Sequence, residues 1–434
     1  MIMFENLLFQ EHALEQLVSL AKEKKVPPAL LFVGPAGSGK LTAALECARV
    51  LSCEKEAEWN CECTQCRCHR NLMHPDLLLF GPREFAQETI VTGEYLIGKP
   101  GLTSYYAFVR SIRKLLKRFD SVLWQGEEAR LSKAIPSIET CEELIQEISE
   151  LVLKKKNHAL TVAVENAINA AAGLESLVPD GIPVFMIRNM ISWAVLAPSA
   201  KTKMIIIQNA DAANESARNA MLKILEEPPE TVRFILTSSR RAAVIATILS
   251  RSRLISFDSR TGDQAREIIS RLFHVDEDLQ NINSISVFFQ NKSPYPPKVA
   301  TRDAALFIGA LLGKTMKENP GLSGKYAIEL ASMAQCENVS ALSILRQVSD
   351  KTNAFGAKNS RFANSFLVFM RAVSQHLAYI AADPSSSPSL IMYVDRLFSK
   401  LREMNMQYRT LNRSPELMLE AFADILGEQY ESRI

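Results

Sequence analysis

Residues 30–45, LLFVGPAGSGKLTAAL, decide the fold of this chain. The stretch begins with four apolar residues, typical of a buried strand, and ends in a run with helical composition. The loop between these two parts carries three glycines and a lysine: Gly34, Gly37, Gly39 and Lys40. Backbone N–H groups and a lysine ammonium in such a loop cradle phosphates. The stretch therefore predicts a strand, a phosphate-binding loop and a helix in succession.

One position of this loop departs from the usual pattern. The residue after the lysine normally supplies a hydroxyl to Mg²⁺, but here it is Leu41, and the hydroxyl of Thr42 comes one place late. A nucleotide such as ATP or ADP is the expected ligand of Gly34, Gly37, Gly39, Lys40 and Thr42, whereas magnesium coordination is in question. The alternative is a glycine turn that binds nothing.

Composition limits the classes of protein to consider. The chain has 434 residues, of which 47% are hydrophobic and 23% charged, and its net charge is +2. This length allows roughly two to four domains. A nearly neutral balance argues against bulk electrostatic binding of nucleic acid. The N-terminus lacks a basic region followed by an apolar run, so we expect a soluble, cytoplasmic protein.

The order of the predicted elements indicates an α/β domain followed by helices. Short apolar runs predict five strands, at residues 30–33, 77–80, 203–208, 232–237 and 254–257. Between the second and third strands, residues 83–180 carry amphipathic helical patterns instead. After Thr261 the pattern is almost entirely helical. We therefore predict a parallel-sheet nucleotide-binding domain with a helical insertion, followed by all-α domains.

The insertion contains one basic and one acidic helix. The basic side chains share one helical face: Arg110, Arg113, Lys114, Lys117 and Arg118. The acidic ones share a face of a second helix: Glu142, Glu143, Glu147 and Glu150. The basic face is a candidate for DNA contact. The alternatives are that the two helices pair with each other or that both faces are solvated.

The third predicted strand ends without the carboxylates that a hydrolysing site needs. Acids at this strand end hold Mg²⁺ and polarise water. Here the strand ends in Gln208 and Asn209, and amides cannot do that work. Asp211 is close but lies two to three residues late. The sequence therefore predicts a site without its acid, whether or not a nucleotide binds.

Five of the eight cysteines lie within sixteen residues: Cys53, Cys61, Cys63, Cys66 and Cys68. In a reducing compartment such clustering favours a metal over disulfides. Cys63 and Cys66 have the spacing of a zinc half-site, and structural zinc takes four ligands. The pattern predicts a structural zinc site but leaves the choice among five donors open. A set of free surface thiols is the alternative.

Arg251 lies in the segment LSRSR, just before the last predicted strand. An exposed arginine at a subunit edge can act as an arginine finger on the γ-phosphate of a neighbouring subunit. From the residues alone, a surface arginine or an ordinary salt bridge is the favoured interpretation.

The ordered combination of motifs resembles the bacterial DNA polymerase III clamp-loader subunits of the AAA+ family. The motifs are the phosphate loop, the cysteine cluster, HPD at 74–76, NAMLKILEEPP at 219–229, and Ser250 with Arg251. The resemblance covers about residues 4–82 and 182–258. It extends weakly to residues 412–420, which resemble the start of a collar-domain helix. The insertion has no recognised counterpart.

Within that family the gamma/tau subunits hydrolyse ATP and the delta-prime subunits generally do not; this chain resembles delta-prime. The resemblance implies that Arg251 is an arginine finger acting on an adjacent gamma/tau subunit. It places Thr237 at the sensor position. It aligns Cys53, Cys63 and Cys66 with zinc ligands, and we select Cys61 as the fourth, with Cys68 in reserve.

The resemblance also implies an organisation and a set of partners. We expect a AAA+ domain at 1–258, with a zinc module at about 53–68 and the insertion at about 83–180. A helical lid at 259–300 and a collar domain at 301–434 would follow. The expected partners are gamma/tau and delta subunits in a ring, the sliding clamp, and primed DNA reached through the complex. The alternatives are an active gamma/tau-type ATPase and a DNA-binding repair accessory factor.

Overall fold

The computed structural model describes residues 3–274, 279–293, 295–353 and 360–411. The chain divides into two compact units, Met1–Phe289 and Gln290–Ile434. The first unit is a parallel α/β domain and the second is helical in its described residues.

The first unit is built on a five-stranded sheet. Its strands are β1 (Ala29–Val33), β2 (Leu77–Phe80), β3 (Lys203–Ile207), β4 (Val232–Ser238) and β5 (Arg253–Ser256). They lie in the order β2-β3-β4-β1-β5, and all neighbouring pairs are parallel. All five strands predicted from the sequence are present, and β1 has two neighbours in the sheet.

Both faces of this sheet are covered, which explains the continuous apolar runs. Successive side chains of a strand point to opposite faces. In β1, Leu31 belongs to one apolar cluster, whereas Leu30 and Phe32 belong to another. The residues of the other strands divide in the same way, so the sheet separates two cores.

Thirteen α-helices accompany this sheet among the described residues between 11 and 291. Those outside the insertion are α1 (Glu11–Lys22), α2 (Lys40–Ser52), α3 (Thr64–Arg70), α9 (Val184–Ala194), α10 (Glu215–Glu226), α11 (Ala246–Arg251), α12 (Gly262–Phe273) and α13 (Ile285–Asn291). Asn214 is the N-cap of helix α10, and its side chain accepts a hydrogen bond from the N–H of Ala217. It ends just before Pro228, because the residue preceding a proline disfavours helix.

Residues 83–180 are helical, as their amphipathic pattern predicts. They form α4 (Ala86–Gly98), α5 (Leu102–Leu116), α6 (Glu128–Leu131), α7 (Ile135–Lys154) and α8 (Asn157–Glu175). Their apolar side chains belong to the same core as one face of the sheet. The insertion is therefore packed into the domain and is not a separate module.

The second unit has its own apolar core. Its helices are α14 (Pro297–Glu318), α15 (Lys325–Cys336), α16 (Ala341–Asn353), α17 (Ser360–Ala382) and α18 (Pro388–Leu411). The segment at 412–420, which resembles a collar-domain helix start, lies outside the described residues. Within the described residues, no helix is long and apolar enough to span a membrane.

Candidate functional site: a phosphate loop, a cysteine cluster and an exposed arginine

The phosphate loop joins the end of β1 to the start of α2, and its glycines are required by close packing. A Cβ at Gly34 would lie 2.3 Å from the carbonyl oxygen of Phe257. Gly39 precedes α2 with φ of +99°, a conformation that favours glycine. Because α2 begins at Lys40, the N–H groups of its first turn have no acceptor within the helix. The predicted strand–loop–helix unit is thus present, with free donors at the helix start.

Lys40 is folded back on its own loop. Its Nζ donates to the carbonyl oxygens of Gly34 at 2.5 Å and Pro35 at 2.6 Å. Burial lowers the pKa of Lys40 to about 8, an effect that nearby Asp211 opposes and nearby Arg260 adds to. The ammonium is consequently a desolvated cation, and an anion in the loop would stabilise it.

Leu41 has a packing role that explains the missing hydroxyl. Its half-buried side chain contacts the core formed by α1, α2 and one face of the sheet. Thr42, one residue later, is also half-buried. The magnesium position of the loop has therefore become part of the apolar packing.

The two amides at the end of β3 have specific partners. Gln208 Oε1 accepts a hydrogen bond from Arg118 Nη2 at 2.6 Å. Asn209 has φ of +51°, and its Nδ2 donates to the carbonyl oxygen of Pro82 at 2.8 Å. The N–H of Asn209 donates to Thr237 Oγ1 at 3.1 Å. Thr237, at the predicted sensor position, thus supports the backbone of Asn209.

Asp211 is the nearby carboxylate, presented from a short 3-10 turn, Ala210–Ala212. Its Oδ2 forms an ion pair with Arg240 Nη2 at 3.1 Å. Its Oδ1 is buried and has no hydrogen-bond partner among the described residues. Asp211 is close enough to Lys40 to raise the lysine pKa, yet its ion pair directs one oxygen towards Arg240.

Arg251 is exposed at the end of α11. Its Nη2 forms an ion pair with Glu226 Oε1 at 2.6 Å, and its Nη1 donates to the carbonyl oxygen of Thr247 at 3.0 Å. The arginine side chain remains 32% exposed and Glu226 is 49% exposed. Exposed pairs of this kind contribute only about 0–1 kcal/mol, so this one is easily exchanged for another partner.

Four cysteines converge between the end of α2 and the start of α3. The sulfur atoms of Cys53, Cys61, Cys63 and Cys66 all lie within 4.8 Å of one another. Cys53 Sγ is 3.6 Å from Cys61 Sγ and 3.9 Å from Cys63 Sγ. Thiolates about 2.3 Å from a tetrahedral Zn²⁺ lie about 3.8 Å apart, so this donor set fits zinc. Cys68, the reserve ligand, lies outside the group.

A buried arginine supports the cysteine cluster. Arg49 Nη1 donates to Cys66 Sγ at 3.2 Å, and its Nη2 forms a buried ion pair with Glu46 at 2.6 Å. The same guanidinium donates to the carbonyl oxygens of Ala57 and Glu58. Arg49 therefore fixes the loop that carries Cys61 and places positive charge beside the sulfur of Cys66, as hydrogen-bonding partners of metal ligands commonly do.

The basic face that begins on α5 is turned inward, so among the described contacts it is neither solvated nor paired with the acidic face of α7. Arg110 and Arg113 donate to the carbonyl oxygens of Arg70 and Asn71, at the C-terminus of α3. Lys117 donates to the carbonyl oxygen of Leu77 at 3.1 Å. Cations are favourable at a helix C-terminus, and a covered edge strand is protected from pairing. These side chains are thus not a solvated face available to DNA.

Lys114, on the same face, belongs to a buried ion cluster. Lys114 and Arg83 both pair with Glu88, and the side chains of Lys114 and Glu88 are about 15% exposed. Burial alone would raise the pKa of Glu88, but the two cations outweigh it and hold the pKa at about 2. The acidic face of α7 is mostly exposed and makes no part of this cluster.

Sequence reasoning missed the partners of several site residues. It did not pair Gln208 with Arg118, which is 90 residues away, nor Arg49 with Cys66. It also missed Arg260, which donates to the carbonyl oxygens of Gly37 in the phosphate loop and of Leu8. No local pattern signals such contacts, because each joins segments far apart in the chain.

Comparison with known proteins places the chain in a family. Residues 9–261 match the family described as DNA polymerase III, delta subunit. Among solved structures, a DNA polymerase III gamma subunit-related protein from Thermotoga maritima is similar at 19% identity, covering 58% of this chain and 80% of that one. Its TM-score is 0.29, too low to establish a shared fold. No curated protein matches the chain. Since the family match spans more than half of its length, this chain belongs to the DNA polymerase III delta-subunit family.

Proposed function

We propose that this chain is a delta-prime-like subunit of the clamp loader, which helps to place the sliding clamp on primed DNA. It would act in a ring with gamma/tau and delta subunits. The family match supports the clamp-loader assignment. The observation that carries the delta-prime role is the end of β3, where Gln208 and Asn209 are committed to Arg118 and Pro82. A site in this state has no acid in the place from which Mg²⁺ is held.

The proposed contribution to catalysis is Arg251, acting in trans. Its exposure and its weak pairing with Glu226 support this role, because a finger must leave its resting partner to reach a neighbour's nucleotide. A finger contributes about 10³–10⁵ to the rate at a site that depends on it. The chain would thus serve hydrolysis in the next subunit.

The test is ATP hydrolysis by the reconstituted complex with clamp and primed DNA. We expect Arg251→Ala to assemble normally and to lower DNA-dependent hydrolysis in part, because other sites in the ring keep their own fingers. Arg253→Ala, which removes an exposed arginine two residues later, is the matched control and should leave the rate unchanged. If both variants assemble and hydrolyse ATP at the unchanged rate, the proposed role of Arg251 as an arginine finger is refuted.

We propose further that the phosphate loop binds ATP or ADP without turning it over. The free N–H groups of α2 and the desolvated Lys40 support binding. Titration of the purified chain with ADP and ATP should show binding that Lys40→Ala abolishes. Hydrolysis by the isolated chain that depends on Lys40 would instead identify an active gamma/tau-type ATPase.

The cysteine cluster is proposed as a structural zinc site. Cys53, Cys61, Cys63 and Cys66 would hold the ion, which would tie the end of α2 to α3. The ion would supply cross-linking and no chemistry, since a site closed by four thiolates leaves no position for substrate.

The domain organisation also remains a proposal. We assign residues 1–258 to the AAA+ domain, 259–300 to a lid and 301–434 to a collar that joins the subunits. Helix α12 and most of α13 fall in the first compact unit, and α14–α18 lie in the second. The collar is the part expected to oligomerise, so association of a 290–434 fragment with gamma/tau subunits tests it.

A further inference from the structure

The end of β3 is joined tightly to the start of the insertion. A Cβ at Gly81 would lie 2.0 Å from the carbonyl oxygen of Gln208, and Gly81 has φ of +108°. Asn209 Nδ2 donates to the carbonyl oxygen of the next residue, Pro82. Both residues that stand in the acid positions therefore contact the chain at the point where the insertion begins.

Arg118, at the other side of this junction, is a buried cation held by neutral oxygens. Only 1% of the residue is exposed. Its guanidinium donates to Gln208 Oε1 at 2.6 Å, to the carbonyl oxygen of Lys114 at 3.0 Å and to that of Gly81 at 3.3 Å. One face lies over the ring of Phe85, at 5.0 Å. A cation taken out of water needs such acceptors, and the shortest of these bonds is the one to Gln208.

Arg118 is fixed from its own backbone as well. Its carbonyl oxygen accepts a hydrogen bond from Trp124 Nε1 at 2.8 Å, and Trp124 is itself buried. The arginine cannot readily turn away from the end of β3, because its side chain and backbone are both held. Residue 208 therefore faces a fixed donor.

We propose that the end of β3 is the docking point of the insertion, and that Arg118 binds whatever acceptor residue 208 presents and so keeps that side chain out of the nucleotide site. This inference rests on the proposed absence of hydrolysis in this chain. The absence of hydrolysis then has two causes. Residue 208 is not an acid, and the insertion holds the side chain of residue 208 away from the nucleotide site. Restoring a carboxylate at 208 would create an ion pair with Arg118 and not a magnesium ligand.

The first test uses the isosteric change Gln208→Glu in the full chain. We expect no gain of ATP hydrolysis, either alone or in the reconstituted complex. We expect higher stability at neutral pH, because a carboxylate replaces an amide beside a cation. Since Arg118 would depress the pKa of that carboxyl, the gain should be present above its ordinary pKa of about 4.3 and disappear as the pH falls below it.

The second test removes the contact. Gln208→Ala should raise the unfolding equilibrium constant about 10- to 100-fold, the range for a lost hydrogen bond to a charged group. It should also speed amide exchange in α5. Arg118→Lys, which keeps the charge, and Gln208→Ala should be non-additive in a double-mutant cycle. Lys117→Met is the matched control, because Lys117 precedes Arg118 but contacts Leu77 and not β3; its effect should add to that of Gln208→Ala.

Two outcomes overturn the inference. Additive effects of Arg118→Lys and Gln208→Ala would mean that the contact does not hold the insertion. Hydrolysis gained by Gln208→Glu alone would mean that Arg118 does not retain the side chain. Lys40-dependent hydrolysis by the unaltered chain would defeat the proposed function instead, and it would leave the double-mutant cycle unaffected.

Discussion

The choice of the fourth cysteine can be tested by one pair of variants. Cys61→Ser and Cys68→Ser remove chemically identical thiols seven residues apart, and both cysteines are half-buried. Only Cys61 belongs to the group whose sulfur atoms lie within 4.8 Å of one another. We expect Cys61→Ser to lose tight zinc binding and Cys68→Ser to keep it.

The size of the effect follows from the number of ligands. Structural Zn²⁺ binds zinc-finger peptides with about 10–16 kcal/mol, so one ligand of four accounts for about 2.5–4 kcal/mol. That loss corresponds to about 60- to 700-fold weaker binding. In Cys68→Ser the affinity should stay within about a factor of three, since no ligand is removed.

The measurement is zinc content after dialysis, followed by competition with a chromophoric chelator under reducing conditions. Wild type and Cys68→Ser should each retain one zinc per chain, and chelation should lower their thermal unfolding temperatures. Equal loss of affinity in both variants would refute the ligand choice. A reduced wild-type chain that binds no zinc would refute the site itself.

Three further predictions concern packing and charge. Glu88→Gln should destabilise the chain by about 3 kcal/mol at pH 7, since a pKa lowered from 4.5 to about 2 is worth that much; in wild type this contribution is present above pH 4.5 and is lost as the pH falls towards 2. Asn214→Ala removes the cap of α10 and should cost about 1 kcal/mol in urea unfolding. Gly81→Ala should cost about 3 kcal/mol or more through clash and strain, whereas Gly173→Ala, in open space on α8, should be neutral or stabilising. A stable Gly81→Ala chain would contradict the close packing at the end of β3.

Local patterns in the sequence were sufficient for the sheet and the phosphate loop. The five strands are short apolar runs because both faces of the sheet are covered, so that side chains on both sides of a strand are buried. The loop was equally predictable, because Gly34 lies where a Cβ would clash and Gly39 has a positive φ, and few other residues meet these requirements. The helical character of residues 83–180 follows from its amphipathic period in the same way.

Partners across the chain were beyond that reasoning. The basic face of α5 has the composition of a solvated or DNA-binding surface, yet its side chains donate to carbonyl oxygens of α3 and β2. The sequence shows that a side chain is charged, but it does not show which acceptor the cation meets. Water, a phosphate and the carbonyl oxygens of a helix C-terminus can all accept its hydrogen bonds. Which of these is present depends on what packs against the helix.

The sequence by itself determined the kind of elements, their order, and the residue types that phosphate and metal chemistry need. Only the tertiary structure decided that Cys61 and not Cys68 joins the cysteine group, and that Gln208 serves Arg118. The physical reason is range. Backbone periodicity is a property of adjacent residues, whereas a ligand set or a buried hydrogen bond is a property of the few ångströms between segments that folding brings together.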